Sequence, residues 1–439
     1  MTDRLRRCAP AACVVLLAAA GSGEEVVVRY PDGKIKATYT LDEQGRKHGF
    51  LVERFDSGKT KLKAQYAAGV LNGPWLAFHE SGGKHIDASY KGGKLHGRYV
   101  EYDPAGGVRK TCSYKDGDLH GRYQEFDAGR EVKDQQWFEG VLYYPKSLAQ
   151  IRAAIRKIDS ARIETVGEKP DTSAMAGVKL RLRPISGRAD AVRALMIYRY
   201  LCDVPYEDLA LDRRYNAYAD AGVALLNAAR QMSHNPPNPG WPEAAYRFGL
   251  QGTSRSNIHS SSRVSLARSV HSYMNDSDSR NVDRLGHRRW CLNPAMQRLG
   301  ISGAGGYSAM YVFDRSRKEI PDYDFIAFPP RGFLPLKYFK KHYAWNVSPN
   351  PAKYQAPSKG KVKVEVFPVG RSLKKASRPV ALDYFNVNNT GFGVRYCIIY
   401  RPKLTKLPSG QRFMVEIAGL RKSGGSEATI RYVVEFVRL

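Results

Sequence analysis

The chain has 439 residues, 43% of them apolar and 26% charged, which is too long for one ordinary domain of roughly 100–200 residues and too apolar for a largely disordered chain. Lys and Arg number 70 against 42 Asp and Glu, a net charge of +28. That balance draws the chain toward acidic surfaces such as anionic polysaccharide or lipid head groups, while the lack of a dense Lys/Arg run argues against nucleic acid as a partner; basic residues scattered over several domains for solubility would give the same total.

The first residues read as an export signal. Arg4, Arg6 and Arg7 form a positive start, residues 11–20 a short apolar run, and Ala18-Ala19-Ala20 a small-residue cleavage site. The run is shorter than the roughly 20 residues a bilayer span needs. Residues 1–22 are therefore expected to be a signal peptide, and the remainder to be secreted or held in the cell envelope or periplasm. Cys8 and Cys13 would leave with the signal. Cys112, Cys202, Cys291 and Cys397 remain, and an exported chain can oxidise four cysteines in three ways.

An internal repeat follows. Gly49, Gly73, Gly97 and Gly121 are 24 residues apart, each after a polar residue (His48, Asn72, His96, His120), and Tyr66, Tyr90 and Tyr114 keep the same step. Alternating aromatic runs over 75–78, 99–102 and 123–126 predict strands, and Asn72-Gly73 and Asp116-Gly117 predict turns. Each unit reads as a hairpin, which is marginal alone and gains stability by stacking. A twisted antiparallel sheet is expected over 26–143, with the three tyrosines on one face. His48, His96 and His120 hold turn positions, where a polar residue is expected without any metal. The region resembles the variant MORN repeats of the YwqK-like antitoxin group, which implies a binding or spacing module and a protein contact through its face.

Residues 144–188 read as a connector. Ser147 and Gln150 form a capping box ahead of Leu148, Ile151, Ile155 and Ile158 at helical spacing. Over 190–330 an α+β pattern is predicted. It has a helix capped by Asp190, a second marked by Tyr215, Tyr218, Gly222, Leu225 and Leu226, a third over 262–274 and a strand over 307–313. From 356 to 439 the chain alternates as in Val362, Val364 and Val366, with further strands over 380–385, 394–400, 412–417 and 429–437. A small all-β, sandwich-like domain is expected there, with Cys397 a buried thiol. The fold class is thus multi-domain: an N-terminal antiparallel β repeat sheet, a central α+β domain and a C-terminal all-β domain.

The central segment resembles the CAP superfamily of cysteine-rich secretory and pathogenesis-related proteins. The matching pieces run in family order: Leu201-Cys202-Asp203-Val204-Pro205, Met232-Ser233-His234-Asn235-Pro236, Arg255-Ser256-Asn257-Ile258, Leu285-Gly286-His287-Arg288-Arg289-Trp290, and Leu292-Asn293-Pro294 before Arg298-Leu299-Gly300-Ile301. The resemblance implies an α+β sandwich with a cleft lined by two histidines and two acids, holding a divalent metal, often zinc, in some members. His234 and His287 match the histidines and would be the metal ligands. Ser256 stands where the first acid belongs, and Asp276 lies nearest the second. With one acid missing, zinc binding is expected to be weak, since an open zinc site uses three protein ligands. Asn257 is expected to hold the loop, and His287 to precede an Arg-Arg-Trp strand. A Cys202–Cys291 disulfide is implied because both cysteines flank elements of this resemblance.

No Gly-x-Ser-x-Gly elbow, His-Glu-x-x-His or P-loop is present, so no catalytic residue is singled out. The reading that follows is an exported CAP-domain protein with MORN-like repeats that binds a lipid, glycan or protein partner without catalysis. The alternatives are a CAP-family hydrolase of peptide or glycan with a degenerate site, and a structural scaffold.

Overall fold

The computed structural model describes residues 14–17, 23–178, 184–370 and 373–439. The chain divides between Pro145 and Lys146 into two compact units. Among the described residues, no helix is long and apolar enough to cross a membrane. The export segment expected over 1–22 lies outside the described residues, apart from Val14–Leu17, a strand paired with Glu24–Arg29.

The first unit is a 13-stranded antiparallel sheet whose strands follow chain order. Its repeat has a side-chain logic. One cross-strand row runs Leu51, Ala64, Trp75, Ala88, Tyr99, Cys112, each opposite the next. Large and small residues alternate, so the rings cover Ala64, Ala88 and Cys112, which are buried. Two residues further along the same face, Tyr66, Tyr90 and Tyr114 sit opposite Gly49, Gly73 and Gly97, and Tyr99 meets Tyr114 edge-on at 5.8 Å. The glycine is required for two reasons. Gly97 has φ +90°, and a Cβ there would lie 2.9 Å from the Ser89 hydroxyl, which donates to the carbonyl of His96.

The second unit carries helices α1 (Leu148–Asp159), α2 (Arg188–Leu201), α3 (Arg213–Ala229), α4 (Glu243–Ser254), α5 (Leu266–Asn275) and α6 (Gly286–Cys291). A five-stranded mixed sheet accompanies them, ordered Thr165–Val166, Ala210–Asp212, Arg298–Ala304, Tyr307–Tyr311, Ser256–Ser260. Two four-stranded sheets complete the unit: Phe325–Phe328, Trp345–Pro349, Cys397–Pro402, Leu382–Asn388, and Gly332–Pro335, Glu427–Val437, Gln411–Arg421, Lys363–Val369. Their inner faces meet at Trp345, 5.7 Å from Phe413 and 5.9 Å from Phe436, and at Tyr400 and Tyr432, whose hydroxyls are 3.0 Å apart. These paired sheets thus begin at Phe325, upstream of 356. One continuous core joins Ile151 and Ile158 of α1, Leu195 of α2, Val270 of α5 and the inner faces of the paired sheets. The segment read as a connector therefore contributes to that core. Its α1 has the capping box between Ser147 and Gln150.

Two local expectations are corrected and one unexpected helix is present. Helix α2 has Gly187 at its N-cap, and Asp190 lies inside its first turn instead of capping it. Helix α4 has no counterpart among the expected elements, and its Gly249 and Gly252 are poor helix formers. They are there for proximity: a Cβ on Gly252 would lie 1.8 Å from the Tyr218 carbonyl oxygen of α3. The Arg-Arg-Trp segment is helix α6, not a strand. Its two arginines are buried. Arg288 donates to the carbonyls of Met274 (2.7 Å) and Ala344 (2.7 Å) and to Asn346 Oδ1 (2.9 Å), while Arg289 donates to Val394 O and Asn388 Oδ1 (both 2.9 Å). A third, Arg199 of α2, is fully buried and donates to four carbonyls, of Pro205, Cys291, Asn293 and Met296, at 2.7–3.2 Å. Burial pushes Arg199 down to about 9 and Arg288 down to about 10, which leaves both charged at neutral pH.

Candidate functional site

His234 lies in the loop after α3, and His287 lies in the first turn of α6. The close approach of α3 and α4 and the run of α6 against the mixed sheet bring the rings to 6.1 Å between centroids, with planes at 40°. His234 Nδ1 is 2.9 Å from the Thr253 carbonyl oxygen, and Thr253 Oγ1 donates back to the His234 carbonyl at 2.9 Å. His287 Nδ1 is 2.8 Å from Asp276 Oδ1, and the other oxygen of this fully buried carboxylate accepts the Arg288 backbone N–H at 3.3 Å. A carbonyl and a carboxylate only accept, so Nδ1 carries a proton in both rings, and in the neutral form of each ring Nε2 is the lone pair. Burial lowers the His234 pKa, with His287 and Arg284 acting the same way and the Thr253 carbonyl opposing.

The imidazoles stand between two hollows. The narrower, about 530 Å³, is also lined by Ser256, Asn257, Trp290, Phe313 and Phe392, and Trp290 stacks on the half-exposed Phe313 with centroids 4.1 Å apart. The wider, about 1410 Å³, adds His259, Tyr273, Asp276, Asp278 and Arg280. Both share Asn281 and Arg284. Ser256 is 3% exposed and its hydroxyl has no hydrogen-bond partner. Asn257 donates to the His287 carbonyl at 3.0 Å and to Cys291 Sγ at 3.4 Å, tying Ser256–Ser260 to α6.

The residues expected from the sequence thus gather around one cleft, with corrected roles. Asp276 holds His287 from behind instead of joining the histidines as a ligand. Among the described residues no group of three or more His, Cys, Asp and Glu is placed to hold a metal. Two imidazoles fall one ligand short of an open zinc site, so the donor set does not fit a resident zinc ion. Cys202 and Cys291 are both buried free thiols, so the disulfide is not formed; each is enclosed by the core around α2 and α6. Cys397 is likewise a buried free thiol.

The aromatic wall escaped sequence reasoning. Phe392 comes from the paired sheets, 105 positions after His287. Its only local signal is the flanking pair Gly391 and Gly393; a Cβ on Gly393 would lie 2.8 Å from the Trp290 ring, and across the cleft one on Gly286 would lie 3.1 Å from the Phe392 ring. No family model matches the chain, and no curated protein matches it.

Proposed function

We propose that the chain is an exported CAP-domain protein with MORN-like repeats, and that its central cleft binds a ligand without catalysis. The observation that carries this is the tautomer pair. Two imidazoles fixed through Nδ1 turn both Nε2 atoms to one cleft, where the neutral rings are acceptors, beside an aromatic wall of Trp290, Phe313 and Phe392. Acceptors ask for hydroxyl donors, and aromatic faces ask for an apolar surface. A glycan or a hydroxylated lipid offers both on one molecule. A scaffold has no use for an open cleft with two unengaged acceptors.

The hydrolase reading gains one observation. Asp276 orients His287, and the Ser256 hydroxyl lies in the same cleft without a partner, which are the parts of a nucleophile, base and orienting acid. Binding is preferred because that hydroxyl makes no hydrogen bond to either imidazole. Glycan and lipid arrays probed with the full chain and with His234→Ala/His287→Ala test the proposal. Capture that falls about ten-fold or more in the double variant, the loss of two hydrogen bonds of ~1 kcal/mol each, supports it. Equal capture by both proteins would move the ligand elsewhere, and Ser256-dependent labelling by a fluorophosphonate would favour the hydrolase.

A further inference from the structure

The positive charge is not spread evenly. The second unit has 48 Lys and Arg against 23 Asp and Glu, a net +25 of the chain's +28. Within it, residues 325–439 hold 21 Lys and Arg against 5 Asp and Glu. The paired sheets are therefore the most cationic part of the molecule.

Their two ends differ. At one end, strands Gly332–Pro335, Cys397–Pro402 and Glu427–Val437 finish and Gln411–Arg421 begins. Lys341 Nζ donates to the Thr405 carbonyl at 2.9 Å, which sets the loop after Pro335 beside the loop after Pro402. Val369 pairs with Arg412, so the turn through Lys374 lies at this end too. Lys337, Lys340, Lys341, Lys374, Lys403 and Lys406 are all exposed there. Two of the acids present are engaged: Asp383 with Arg401 at 2.6 Å and the buried Glu435 with Arg412 at 2.6 Å. Asp159, which acts on Tyr338, belongs to a helix end that also carries Arg156 and Lys157. At the other end, cations and acids interleave, with Lys353 on Asp322 and Lys422 on Asp324.

We infer that this lysine-rich end of the paired sheets is a binding surface for a linear acidic polysaccharide, bearing carboxylate or sulfate groups. Lysines serving only to guard sheet edges would line an edge strand; these cluster on loops at one end. Lysine is a compact charge on a flexible stem, suited to irregularly spaced anions more than to paired, planar recognition. Of the rings in the loop after Pro335, Tyr338 and Phe339 are buried, Tyr343 is half-buried and His342 alone is exposed, packed against Tyr343, which is little stacking surface for the bases of a single-stranded nucleic acid. Among the described residues, Leu439 is the one large apolar side chain exposed next to this cluster, too little to anchor on a lipid surface.

The test uses the full chain, with dextran sulfate and polygalacturonate as the sulfate and carboxylate probes, and anionic vesicles and single-stranded DNA as competitors. Lys337→Glu/Lys340→Glu/Lys403→Glu/Lys406→Glu is compared with Lys359→Glu/Lys361→Glu/Arg395→Glu/Arg421→Glu, which changes the net charge equally away from the cluster. Retention on at least one polysaccharide, lost ten-fold or more in the first variant and largely kept in the second, is expected, with wild-type affinity falling as salt shortens the reach of charge. The probe retained says whether sulfate or carboxylate is the match. Equal loss in both variants would make this bulk charge and overturn the inference, as would wild-type protein that binds neither polysaccharide or prefers vesicles or DNA. If the glutamate set lowers the melting temperature, the corresponding Lys→Gln set is read instead.

Discussion

The two units hold themselves together in different ways. In the repeat sheet each strand meets the next one along the chain, and its repeated buried positions hold small side chains under neighbouring rings, such as Ala88 between Trp75 and Tyr99. In the second unit, buried arginines join segments far apart in sequence: Arg199 reaches residues 291–296, and Arg288 reaches 344–346. A local design is built from a short motif used again. A non-local one depends on single side chains whose partners appear only after folding.

The contrast can be broken most forcefully at Arg288. Arg288→Ala leaves the carbonyls of Met274 and Ala344 buried without a donor, and a loss of about 4 kcal/mol is expected at ~1–3 kcal/mol for each orphaned group. Hydrogen exchange should rise both in α6 and in Trp345–Pro349, although they are over 50 residues apart. Trp75→Ala should cost about 2 kcal/mol, because the ring is half-buried, and should raise exchange in adjoining strands only. A response confined to α6 in the first variant, or spread through the whole sheet in the second, would erase the distinction.

Gly252→Ala comes next. The added Cβ must push α4 away from Tyr218 of α3, at roughly 2–3 kcal/mol by denaturant unfolding. Alanine is the better helix former, so an unchanged or raised stability would show that the helices cross with room to spare.

A smaller effect concerns pH. Burial lowers the pKa of His234, His259 and His271 in the second unit. The unfolded chain then takes up protons that the folded one refuses. The stability these groups contribute is present above the ordinary histidine value near ~6.5 and is lost as pH falls below it. The melting temperature should drop between pH 7 and pH 5, less steeply in His271→Gln. A flat profile would mean that these histidines are solvated. The mildest expectation concerns metal. Ser256→Glu adds a carboxylate at the cleft, and zinc affinity by equilibrium titration should rise about ten-fold over a weak wild type. No change would show that the new side chain does not face His234 and His287.

Much of this was readable where the signal is local. The 24-residue step of glycine and tyrosine prescribes hairpins, because a positive-φ glycine and the ring opposite it are set by neighbours within one unit. Five alternating runs after 356 became strands of the paired sheets for the same reason. His234 and His287 were found through an ordered set of motifs; nothing local pairs them. Illegible were features that belong to the partner surface. Gly252 looks like a breaker until α3 lies against it, Arg288 and Arg289 look solvent-bound until carbonyls surround them, and Phe392 joins the cleft only because the paired sheets share a core with the helices.

The glycine-to-tyrosine pairing within each hairpin has a further consequence for the repeat sheet. Gly49 faces Tyr66, Gly73 faces Tyr90 and Gly97 faces Tyr114, so each of these three modules closes on itself and presents the same edge to whatever comes next. One module contributes two strands, and hence about 10 Å of width at ~4.8 Å per strand. Duplicating or excising a module between equivalent glycines leaves every remaining register as it was. The ribbon is therefore a ruler graduated in whole hairpins, and its span can change by discrete steps through recombination, with no single residue needing to mutate.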